Sequence, residues 1–161
     1  MRFANVGSVN GERIDMIVRA TSPYTSGRAG IRNGCSSAQT YGIVNVDAGT
    51  SVDLDISFVN ALGSSVQLRA FQFTFLDLDQ TVGPDGSVQA AETVRVNGYT
   101  NVELSTDTEI QIDGNAFSSS VAGTGADNPT DPLGLSAAQQ RRAVTFVFEN
   151  TASFTVSPVS Y

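Results

Sequence analysis

The stretch Phe71-Gln72-Phe73-Thr74-Phe75-Leu76-Asp77-Leu78-Asp79 alternates apolar and polar residues along its length. Side chains two apart share one face of a strand, so Phe71, Phe73 and Phe75 point the same way. By the same parity Asp77 and Asp79 continue that face. A strand that lays three aromatics into a core must leave it at the carboxylates, because bare charge in an apolar interior is costly. The pattern therefore predicts a strand ending at the rim of a layered β structure. Two aspartates on one face lie roughly 6.5 Å apart along the chain. Like charges that close repel unless a cation or hydrogen-bond donors lie between them.

The same period runs outward from this stretch. In Ser51 to Asn60, Val52, Leu54, Ile56 and Phe58 alternate with Asp53, Asp55 and Ser57. Arg13 to Ala20 places Ile14, Met16 and Val18 on one face. Phe3 to Val9, Tyr41 to Asp47, Val66 to Asp79, Glu92 to Val96, Thr100 to Leu104, Glu109 to Asp113, Asn115 to Val121, Ala143 to Glu149 and Ser153 to Val159 read as further strands. Asn10-Gly11 and Asn97-Gly98 are hairpin turns, since both residue types accept positive φ. Thr21 to Gln39, Thr81 to Ala91 and Ala122 to Gly134 read as loops. A short helix is expected near 136–142, with Ser136 as N-cap. Short strands at this spacing indicate one all-β domain over residues 1–161. The expected fold is an antiparallel sandwich of jelly-roll type, with a closed barrel as the alternative.

Composition agrees and excludes several chemistries. Val and Ile number 25 against 8 Leu, which favours pleated strands. The nine basic residues are all Arg, and the formal net charge is −7. That balance disfavours nucleic acid and anionic lipid. The chain has no His and no Lys, so imidazole catalysis, Schiff bases and phosphate-loop lysines are out. Cys35 is the single cysteine and has no internal disulfide partner. No stretch reads as a signal peptide or a membrane-spanning helix. The abrupt start of strand patterning near residue 3 suggests a module of a longer protein.

Oxygen ligands carry what chemistry remains. Asp77 and Asp79, with Asp85 in the following loop and Glu92 on the next strand, form a candidate calcium site, since calcium takes several carboxylate and carbonyl oxygens. The other readings are solvated aspartates that end a strand and, least favoured, a catalytic carboxylate pair. A catalytic acid needs an enclosed cleft that raises its pKa, and the sequence indicates none. Asp127, Asn128 and Asp131, in a run held by Pro129 and Pro132, are a second candidate metal site or a rigid turn. Tyr24 and Tyr99, beside loops, are candidates for stacking on sugar rings. Arg141 and Arg142 suit the C-terminal dipole of the short helix.

Four segments together resemble a known type of domain. They are Phe3-Ala4-Asn5-Val6-Gly7 with Ile14-Asp15-Met16-Ile17-Val18, Phe73 to Asp79, Gly125 to Pro132, and Leu135 to Phe148 leading to Ser153-Phe154. The chain is similar in these to a β-sandwich domain of large secreted or cell-surface proteins of microalgae and marine microbes. The resemblance implies an extracellular, modular setting and a cation site at Asp77, Asp79 and Glu92. The expected function is thus a non-enzymatic structural or adhesion module, calcium-stabilised, packing with other modules or subunits of a surface assembly. A carbohydrate-binding module is the alternative.

Overall fold

The alternating segments pair into antiparallel ladders. The structure is a computed structural model that describes residues 1–26, 33–36, 40–124 and 128–160. In chain order the strands are β1 (Arg2–Val9), β2 (Glu12–Ala20), β3 (Gly34–Cys35), β4 (Gly42–Ile43), β5 (Thr50–Ser51), β6 (Leu54–Asn60) and β7 (Leu68–Phe75). They continue as β8 (Gln80–Val82), β9 (Val88–Asn97), β10 (Asn101–Glu103), β11 (Ile110–Asp113), β12 (Ala116–Ser119), β13 (Val144–Thr151) and β14 (Ser153–Ser160). The helix α1 is Ala137–Arg141.

A nine-stranded sheet runs β1-β2-β6-β14-β9-β12-β11, with β5 paired to β14 and β8 to β9. Facing it is a three-stranded sheet, β10-β13-β7. The architecture is the expected antiparallel sandwich. The two layers are joined by aromatic rings. Phe148 of the small sheet lies 4.3 Å from Phe154 of the large one, and Phe71 stacks on Phe148 at 4.9 Å while meeting Phe58 edge-on at 4.8 Å. Phe146, Phe148, Val144, Val96 and Val156 are sealed from solvent at this seam. Each such side chain contributes about 1.5–3 kcal/mol by burial.

Local chemistry sets the corners. Asn10 and Gly11 adopt φ of 52° and 82°, as the β1–β2 hairpin requires. Asp15 is buried opposite Ile14 but satisfied: its carboxylate accepts from Arg2 Nε at 2.7 Å and from the Asn5 amide at 2.8 Å, where β1 bulges. The Asn5 amide and then the Arg2 guanidinium hold its pKa below the usual range. Ser136 caps α1 in a full capping box with Gln139.

Two readings change. The Tyr41 to Asp47 strand contracts to β4, and the remainder lies as a cover over the large sheet. Gly42 is pressed onto the Phe3 ring so closely that a Cβ would come within 2.9 Å of Cζ. The expected loop from Thr81 to Ala91 is largely a hairpin, β8–β9, closed around Gly86.

Candidate functional site

The three-stranded layer does not span the nine-stranded one, and a groove of about 1240 Å³ opens along β7. Its floor includes Val18, Leu54, Ile56 and Val156. One wall is the continuous run Gln72 to Leu78; the other is the cover Thr40 to Val46, with residues 128–130 near its end. Tyr41 Oη ties these last two together by donating to the Pro129 carbonyl at 3.0 Å. Tyr24 and Asn33 fasten the cover from outside: the Tyr24 hydroxyl donates to the Asn45 carbonyl, Asn33 Nδ2 donates to Tyr24 Oη at 2.8 Å, and Asn33 Oδ1 accepts from the Asn45 amide at 2.8 Å.

The Asp77-Leu78-Asp79 segment forms the corner at which the chain passes from the small sheet to the large one. The rim position read from the sequence is where these residues lie, but the parity argument is corrected. Asp77 takes a left-handed φ of 65°, a conformation that Asp tolerates. This resets the alternation, so that Leu78 enters the core with 5% exposure. The corner is locked by its backbone. Leu78 N–H donates to the Arg142 carbonyl at 3.1 Å, and the Asp79 carbonyl accepts from Glu92 N–H at 3.0 Å and Ser119 Oγ at 2.8 Å. Gly123 lies flat against the Asp79 carboxylate, where any Cβ would overlap it.

Glu92 completes the corner from β9. Its side chain keeps surface open to the groove, yet surrounding protein strips much of its hydration. That desolvation first, and the charges of Asp79 and then Asp77 after it, push its pKa up to about 7, against the Asp79 backbone hydrogen bond. A cleft that raises a carboxyl pKa, not expected from the local pattern, thus forms where β9 meets the corner.

The other sequence candidates disperse. Asp85 is exposed at the β8–β9 tip, where its carboxylate accepts from the Ser87 amide and hydroxyl at 3.1 and 2.7 Å; these bonds lower its pKa. Asp131 accepts from the Leu133 amide at 3.0 Å as a turn-forming side chain, Asn128 is exposed, and Asp127 lies outside the described residues. Tyr99 is not a rim aromatic. It is half-buried between Phe146, at 5.1 Å, and Phe117, at 6.2 Å. Tyr24 is exposed but spent on the cover. Cys35 is a free, exposed thiol. Arg141 and Arg142 both clamp Glu109, at 2.9 and 3.0 Å, and hold its carboxyl below the usual range, Arg142 most strongly.

Among the described residues, no group of three or more His, Cys, Asp or Glu is placed to hold a metal ion. Asp77, Asp79 and Glu92 are near enough to repel one another, which the raised Glu92 pKa registers.

No family model and no curated protein matches the chain. Solved structures do. Glucan binding protein C of Streptococcus mutans is similar at 11% identity and a TM-score of 0.55, over 95% of this chain and 50% of that one. The adhesin domain of PrgB from Enterococcus faecalis, bound to DNA, aligns at 14% identity and a TM-score of 0.49, over 92% of this chain and 56% of that one. The chain thus spans about half the length of the structures it matches. The likeness to the glucan-binding protein is one of fold, an antiparallel β architecture.

Proposed function

We propose that the chain is an adhesion module of a cell-surface protein that binds its partner in the groove beside β7 and does not catalyse a reaction. The observation that carries this reading is the groove itself. At about 1240 Å³ it exceeds the 300–1,000 Å³ typical of small-molecule pockets and is open along its length, which suits a segment of a polymer. The glucan-binding protein that shares the fold mediates adherence, which supports the same reading. Among the described residues no helix is long and apolar enough to cross a membrane.

A protein partner, another module or subunit of a surface assembly, is the first reading. A glycan is the second, favoured by polar Gln72, Asp77 and Glu92 beside half-buried Phe73, Phe75 and Tyr41 in one groove. The groove reading does not depend on calcium, which also takes carbonyl and water oxygens beside carboxylates.

The test uses labelled protein on arrays of surface glycans and of peptides. Gln72→Arg and Thr74→Arg change exposed groove-lining positions and should leave Tm nearly unchanged. Hits that both variants abolish support the reading. Hits indifferent to both, or no hits, overturn it. Turnover of an aryl glycoside that Glu92→Gln removes would replace binding with hydrolysis.

A further inference from the structure

We infer that the groove receives an extended polypeptide segment of a partner, added as a new strand along the outer edge of β7 and carrying a basic residue at the Asp77–Glu92 end. This rests on the groove being the binding face.

β7 is the terminal strand of its sheet. In an antiparallel ladder alternate residues turn their N–H and C=O away from the partner strand. Among the described residues, no backbone hydrogen bond to residues 69–75 lies outside the ladder with β13. Exposed edges invite pairing, and proteins usually blunt them by shortness, bulges, Lys or Pro. The strands at the other ends of the two facing layers are blunted: β1 is bulged between Phe3 and Gly7, β10 has three residues and β11 has four. β7 has eight residues, no Pro and no register shift, and its one charged residue, Arg69, lies near its start, away from the groove.

The groove borders the C-terminal half of this edge. Residues Gln72 to Leu78 line it without a gap, so both faces of the strand border it, and on the outer face it continues over Thr145 of β13 and Glu103 of β10. An added strand would make ladder bonds to β7 and alternate its side chains. One set would meet half-buried Phe73 and Phe75; the other would lie beside exposed Gln72 and Thr74. At about 3.3 Å per residue, pairing along Gln72 to Phe75 spans roughly 13 Å, and the open edge of Leu68 to Phe71 can extend it.

Charge selects the occupant. Among the described residues, Asp77, Glu92 and Glu103 line the groove and no Arg does. A segment with Arg or Lys at the corner end relieves the repulsion between carboxylates there; an acidic segment would add to it.

A displayed library of random peptides, selected against the folded protein, tests this directly. Selected peptides should alternate β-branched and polar residues and contain Arg or Lys. A synthetic copy should slow hydrogen exchange at alternate amides of residues 69–75 by roughly tenfold or more. N-methylating its alternate residues removes ladder donors and should abolish binding. An empty selection, binding without that protection, or binding indifferent to N-methylation overturns strand addition. If neutral glucan oligosaccharides bind instead and Thr74→Arg abolishes that binding, the adhesion reading stands and this inference falls. If neither probe touches the groove, both fall.

Discussion

Glu92 binds a proton more tightly folded than unfolded, because burial and the neighbouring Asp79 and Asp77 charges disfavour its ionised form. The stability it contributes is complete below its unfolded pKa, near 4.5, and is lost as pH rises through about 7. Groove water screens the site and leaves an effect on the order of 1 kcal/mol. Glu92→Gln should therefore raise Tm at pH 8 and leave it nearly unchanged at pH 5; parallel Tm–pH curves for the two proteins would remove the assignment. Asp15 and Glu109 act with the opposite sign, since their lowered pKa values make their stabilisation present at neutral pH and lost on acidification. The two windows are separated, so one titration resolves them. Gly123 supplies the second residue-scale expectation. Gly123→Ala forces a methyl into the Asp79 carboxylate and should cost about 1–3 kcal/mol in urea denaturation. Most of that cost should vanish when Asp79→Ala is already present. Equal cost in both backgrounds would place the strain elsewhere.

At the scale of elements, the seam between the sheets depends on β13 more than on any loop. Phe148 is fully buried and touches Phe71 on its own sheet and Phe154 on the other. Phe148→Ala should cost about 3–5 kcal/mol, read as a lower urea midpoint. A loss below about 1 kcal/mol would mean that the layers are held by something other than this stack. Much of this level was legible in the sequence. The alternation in Ser51 to Asn60 identified Val52, Leu54, Ile56 and Phe58, all now buried, and Ser136 marked the start of α1. The 41–47 segment misled because apolar alternation shows which residues seek cover, not whether a strand edge is available to pair with. Tyr99 looked like a loop aromatic because Gly98 precedes it, yet the hairpin turns it into the space between Phe117 and Phe146. Asp77 broke parity through one left-handed residue, a choice that period-two reading does not contain. The groove was illegible for a further reason: it arises from unequal sheet widths, and no local pattern records which strands share a sheet.

Over the whole molecule, charge decides which polymers can approach. The formal net charge is −7, and among the described residues Arg2 pairs with Asp15, and Arg141 and Arg142 with Glu109. Nucleic-acid affinity comes chiefly from cations that displace the counterions of phosphate, and it needs several of them on one surface. Among the described residues the groove lining presents Asp77, Glu92 and Glu103 and no cation. A phosphate backbone laid in it would meet like charge at every ionisable position. No saturable binding of a labelled duplex is therefore expected at physiological salt by fluorescence anisotropy. Lowering the salt should not create binding at the groove, because weaker screening lengthens the reach of the repulsion. Micromolar binding that weakens as salt is added and is lost in Thr74→Glu would show that cations gather at the groove after all. It would move the partner from a basic polypeptide to a polyanion.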